Sequence, residues 1–126
     1  MTKPLKFFYD SYAIIESING NENYRTHFLD SDGIITYFNL MEIYYSLLLD
    51  NASKDAIDQI TVLFANKIVK PELKECLEAV EFKQKHKSKN LSYVDCLGYI
   101  MARNRRLKFL TGDEKFEKMD NVEFVK

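Results

Sequence analysis

Five short apolar runs, spaced so that helical segments can lie between most of them, constrain this chain more than any other feature. Phe7-Phe8-Tyr9, Gly33-Ile34-Ile35-Thr36, Lys67-Ile68-Val69, Leu107-Lys108-Phe109-Leu110-Thr111 and Val122-Glu123-Phe124-Val125 have the length and the aromatic or β-branched content of strands. Tyr12 to Ile18 reads as one or two helical turns, and Asn19 to His27 as a loop or short helix. Phe38 to Leu49 reads as a helix that is apolar on nearly every side, which belongs in an interior or an interface. Ala56 to about Asn66 repeats apolar residues near helical spacing. Pro71 suits a first helical turn, opening a helix with Leu73, Cys76, Leu77 and Val80 on one face. Ser92 reads as the N-cap of a helix through about Arg106, with Val94, Leu97, Gly98 and Met101 inside. Strands separated by helices imply a three-layer α/β/α sandwich around a central, mostly parallel sheet of four to five strands. In open sheets of this class, ligands bind beyond the carboxyl ends of the strands.

With 126 residues and 46% hydrophobic content, the chain has the size and apolar content of one domain, residues 1–126. Such a core needs neither disulfides nor a structural metal. Cys76 and Cys96 lack the spacing and the histidine partners of a zinc site and read as buried thiols. No apolar run approaches the roughly 20 residues that span a bilayer, and the start does not resemble a signal peptide, so a cytoplasmic protein without membrane contact is expected. The net charge of −1 hides an asymmetry: Lys83 to Lys108 carries eight bases against one acid, a local +7 that leaves −8 for the rest. A basic face beside an acidic, cation-holding pocket would have this distribution, as would two helices with solvated lysine-rich faces.

Four acids stand at informative places, each with a local explanation beside a functional one. Asp10 ends the first strand and could simply cap the next helix. Glu42 sits among Phe38, Met41, Ile43 and Tyr45, where a carboxylate is costly to bury unless it is paired or bound to a cation. Asp95 follows Ser92 by three, a capping-box spacing, and Asp113 follows Gly112 in a turn after the Leu107–Thr111 strand. Taken together, three of the four fall at strand ends or helix starts that a parallel sheet would gather on one edge. Carboxylates without histidine or cysteine favour Mg²⁺ or Mn²⁺. Such a cluster repels itself until a cation binds.

These residues carry a resemblance. Phe8-Tyr9-Asp10-Ser11, the Met41-Glu42 pair in an apolar helix, Leu91-Ser92-Tyr93-Val94-Asp95-Cys96-Leu97-Gly98-Tyr99 and, most specifically, Phe109-Leu110-Thr111-Gly112-Asp113-Glu114-Lys115-Phe116 resemble a PIN domain. The likeness is to the small prokaryotic subfamily that includes VapC-type toxins of toxin–antitoxin pairs. It implies an endoribonuclease that hydrolyses RNA with a metal-activated water. Asp10 and Asp95 would be principal ligands of Mg²⁺ or Mn²⁺, Glu42 and Asp113 would complete the pocket, and Ser11 and Thr111 would be supporting hydroxyls. It further implies an RNA substrate and a cognate antitoxin.

Arg103, Arg105, Arg106, Lys85 and Lys87 are candidates for contact with the RNA backbone. The tyrosine-rich stretch from Leu40 to Leu49 suggests a homodimer or antitoxin contact. Three other readings compete. A phosphoacceptor signalling domain would need an acidic pair after its first strand, where Asp10 is followed by Ser11. A PIN-like nuclease could process RNA outside any toxin–antitoxin pair. A catalytically silent binding module would use the acids only as caps.

Overall fold

The computed structural model describes residues 2–126. Four strands, β1 (Leu5–Tyr9), β2 (Asp32–Ile34), β3 (Lys108–Thr111) and β4 (Val122–Phe124), form one sheet in the order β2-β1-β3-β4. Every pairing is parallel. Among the described residues six α-helices cover it: α1 (Ser11–Ile18), α2 (Arg25–Leu29), α3 (Tyr37–Leu49), α4 (Lys54–Ala65), α5 (Leu73–Lys85) and α6 (Tyr93–Asn104).

Side chains of a strand alternate between faces, and β1 uses the alternation to divide the core. Phe8 packs with α5, α6 and Phe109 on one face, whereas Phe7 and Tyr9 pack with α1, α3, α4 and Leu110 on the other. This is the expected three-layer α/β/α sandwich. The two faces differ in how closely they are approached. A Cβ on Gly98 would meet Phe8 Cε1 at 2.6 Å and Phe109 Cε1 at 3.0 Å, so the bare glycine is what lets α6 lie directly on β1 and β3. From Cys96 to Ala102 every residue of α6 is buried, more than the single inner face expected of it.

Several boundaries and faces depart from expectation. Lys67-Ile68-Val69 does not form a full strand. It makes one parallel bridge, Ile68 to Ile35, closed by Ile35 N–H to Lys67 O (3.0 Å) and Val69 N–H to Ile35 O (2.8 Å). Pro71 lies before α5, not in its first turn: Glu72 is the N-cap, in a capping box with Glu75. Leu73, Leu77 and Val80 are exposed, and the buried face of α5 is Glu75, Ala79 and Phe82. That face is held to the core by Ala79 and Phe82, with Cys76 packed beside them, and buried Glu75 is tolerated on it because it accepts two hydrogen bonds from Arg105, at 2.9 and 2.7 Å. Cys96 is fully buried, and Cys76 is only partly so. Among the described residues no helix is long and apolar enough to cross a membrane.

Candidate active site

Neighbouring parallel strands end at the same edge of the sheet, so the residues just past β1 and β3 meet in space. Asp10 is the first residue after β1, and its N–H bonds to Leu110 O at 3.0 Å, which fixes it against β3. Although it stands at the N-cap of α1, its carboxylate makes no capping bond. Oδ2 instead accepts from Thr111 Oγ1 at 2.6 Å, across 101 positions of sequence. Capping therefore does not account for this residue, which is 4% exposed. No hydrogen bond among the described residues reaches its other oxygen, and that atom is not sealed from solvent. Thr111 Oγ1 also accepts from the Asp113 N–H at 3.0 Å, tying the turn that carries Asp113 to the same point.

Glu42 arrives from the other side, on α3. Ser11, the first residue of α1, donates from Oγ to Glu42 Oε1 at 2.6 Å and accepts from Asn39 Nδ2 at 3.0 Å. Asn39 Oδ1 in turn accepts from the Thr36 N–H and hydroxyl, at 2.9 and 2.8 Å. This chain of bonds, Thr36 to Asn39 to Ser11 to Glu42, fixes the start of α3 to the start of α1. Asn39 and Thr36 are site residues that the sequence alone does not single out. Their signal is the three-residue spacing ahead of an apolar run, which here forms a capping box, and the further three residues that put Asn39 and Glu42 on one side of the helix.

Asp95 comes from the first turn of α6, in a capping box in which Ser92 N–H donates to Oδ2 at 3.2 Å and Asp95 N–H donates to Ser92 Oγ at 3.0 Å. Asp113 Oδ1 accepts from the Lys115 N–H at 3.0 Å. These two acids thus have local structural roles, while Asp10 and Glu42 do not.

The four acids feel one another. Burial pushes the Asp10 carboxyl up to about 7; the Thr111 hydrogen bond pulls it down, and Asp95, Glu42 and Asp113 each push it further up. Burial also raises Glu42, against the Ser11 bond, and Asp95 adds to the rise. Asp95 is raised by its own burial and then lowered by Ser92, with Asp113 raising it again. Among the described residues no three Asp, Glu, His or Cys side chains already converge as ligands of one ion. The groups named at this edge, among the described residues, are carboxylates, hydroxyls and the Asn39 amide, with no histidine or thiolate. That chemistry fits a hard divalent cation such as Mg²⁺ or Mn²⁺ and would suit zinc poorly.

The basic residues divide between the two ends of the sheet. Arg105 is committed to Glu75, and Arg103 pairs with Glu78 at 3.7 Å. Arg106, at φ 59°, turns the chain into β3 and borders a cavity with Lys6, His27 and Lys108, where the strands begin. The three arginines thus lie at the far end of α6 from Asp95, roughly 12 Å along its axis. Lys85 lines a cavity with Arg103 and Tyr99 between α5 and α6. Lys87 instead stands near the start of α6, together with Lys83 and Tyr93. On the opposite layer, Tyr37, Leu40, Met41, Tyr44, Tyr45 and Leu48 line an apolar groove of about 450 Å³ along α3.

The family model of the PIN domain matches residues 7–122. Among solved structures, a toxin–antitoxin complex from Klebsiella pneumoniae superimposes with a TM-score of 0.75, covering 96% of this chain and 96% of that one at 15% identity, a likeness of fold. No curated protein matches the chain in sequence.

The burial of Asp10 makes a prediction about stability. Its carboxyl keeps its proton to about pH 7 when folded but gives it up near 3.8 when unfolded, so between those values the folded state holds the extra proton and stability falls as pH rises. In EDTA, Asp10→Asn should therefore be more stable than wild type at pH 8, by on the order of a few kcal/mol, and nearly equal to it at pH 4. Urea unfolding at the two pH values measures this; a variant less stable than wild type at pH 8 would contradict the burial penalty.

Proposed function

The chain belongs to the PIN domain family, whose members are generally nucleases, and from that membership we propose that it is a metal-dependent endoribonuclease. In this reading residues 1–126 are one cytoplasmic nuclease domain, and its site is Asp10, Glu42, Asp95 and Asp113. The observation that carries it is Asp10: a nearly inaccessible carboxylate at the strand ends, free of any capping role, raised by its burial and raised further by three other acids. A protein that needed only a fold would gain stability by replacing it.

Asp10 and Asp95 would hold a divalent cation, with Glu42 and Asp113 completing its surroundings directly or through water. When bound, Mg²⁺ or Mn²⁺ would supply activation of the attacking water and neutralise charge on the phosphodiester. The chain's own residues have separate tasks. Thr111 orients the Asp10 carboxylate, and Ser11, braced by Asn39, holds Glu42 toward the pocket. Burial holds the Glu42 carboxyl above its ordinary value, which favours its taking up a proton at this edge.

The fold shared with a chain of a toxin–antitoxin complex supports a role as the VapC-type toxin of such a pair, with a cognate antitoxin as partner. The exposed apolar groove on α3 supports a homodimer as well, because Tyr37, Met41 and Tyr45 are left uncovered on a helix whose other side is core.

A partly single-stranded RNA incubated with Mg²⁺ or Mn²⁺ should be cut by wild type, left intact in EDTA, and cut at least about a hundredfold more slowly by Asp95→Asn of unchanged circular dichroism. Expression should arrest growth, and the reading frame adjacent to its gene should relieve the arrest. No cutting by well-folded protein with either metal would sink the nuclease reading. Cutting without growth arrest would leave an RNA-processing nuclease. For the dimer, light scattering should give twice the chain mass for wild type and the monomer mass for Tyr45→Glu; a monomeric wild type would refute it.

A further inference from the structure

Next to the acids, the surface carries an aromatic and basic groove that the cleavage chemistry does not use. Tyr93 opens α6 two positions before Asp95 and is 66% exposed. The Lys83 ammonium stands 5.1 Å from the centre of its ring and is held there by a hydrogen bond to Leu91 O. Tyr93 and Lys83 line a groove of about 250 Å³ together with Gln84, Lys87 and Asn90. Asn90, at φ 52°, ends the short 3₁₀ turn Lys87–Lys89 and folds the lysine run back toward α6. From there the positive rim continues toward the acids. Lys89 Nζ donates to Lys115 O, and Lys115 Nζ donates to Asn90 O, both at 3.3 Å. Lys115 itself follows Asp113 by two residues and lies within electrostatic range of Asp95.

An aromatic ring left largely in water, with a cation over one face, leaves its opposite face without an aromatic or cationic partner among the described residues. Every nucleobase can stack on such a surface whatever its sequence, and unpaired bases are how single-stranded RNA is most often held. Lysines beside the ring meet the phosphates adjoining a stacked base. Gln84 and Asn90 bring amide donors and acceptors of the kind that read a base edge. Resting on the nuclease reading above, we infer that this groove holds one unpaired base of the RNA strand, stacked on Tyr93, and so sets which phosphodiester reaches the acids. Tyr93 is then a positioning and specificity residue, not a catalytic one.

Tyr93→Ala and Tyr93→Phe test this beside wild type on a short unstructured RNA containing 2-aminopurine. Binding is monitored by its fluorescence in EDTA, and cleavage of the same RNA is measured with Mg²⁺. Wild type and Tyr93→Phe should quench the fluorescence. Tyr93→Ala should lose the quenching, bind about tenfold more weakly and cut with KM raised about tenfold at nearly unchanged kcat. If Tyr93→Ala binds, quenches and cuts as wild type does, the groove is not a base site, although the nuclease reading stands. Equal losses in both variants would assign the effect to the hydroxyl and overturn stacking. Wild type that neither binds nor cuts the RNA, with its fold intact, would end the nuclease reading and this inference together.

Discussion

The hydrogen bond from Thr111 to Asp10 ties the two central strands at their carboxyl ends and keeps a carboxylate almost wholly out of water. It is an unfavourable place for a negative charge. The remaining site is arranged around it: Thr111 also receives the N–H of Asp113, and Ser11, next in sequence to Asp10, reaches Glu42. α6, seated on the sheet through Gly98, brings Asp95 to the same edge. The parallel topology makes this possible, because adjacent parallel strands end at one edge and the helices beside them begin there.

Charge is separated across the molecule as a consequence. The carboxylates gather where β1 and β3 end, while the arginines at the end of α6 and just after it lie where the strands begin, Arg103 paired with Glu78 and Arg105 with Glu75. The lysines of the turn between α5 and α6 remain on the acid side. Local positive charge therefore comes from the Lys83 to Lys89 region, Lys115 and Lys126, whose Nζ donates to Gly112 O, and not from the arginines.

Much of this is legible in the chain because it is written locally. β1 and β3 are short apolar runs bounded by polar residues, and Ser92 with Asp95 has the spacing of the capping box it forms. The features that are not legible depend on partners distant in sequence. Asp10 at the head of α1 looks like an N-cap; that its carboxylate turns instead to Thr111 is decided by a strand 101 residues away. Leu73, Leu77 and Val80 make a convincing inner stripe, yet the helix buries Ala79 and Phe82 together with Glu75, whose partner Arg105 no hydrophobic pattern can register. Lys67-Ile68-Val69 has strand composition but meets only Ile35, beyond the end of β2, so one bridge is all it forms. Thr36 and Asn39, polar residues at the head of an apolar helix, matter through Ser11 and not through anything beside them in sequence.

A cation is the reason proposed for keeping Asp10 in so costly a position. Calorimetric titration of Mn²⁺ into the metal-free protein at neutral pH, with wild type beside Asp10→Asn, tests that most directly, since the asparagine can still accept the Thr111 hydrogen bond and leaves the fold in place. Wild type should bind saturably, and the variant should lose that binding. Undetectable binding to well-folded wild type, or equal binding to both proteins, would contradict a cation-holding role for Asp10.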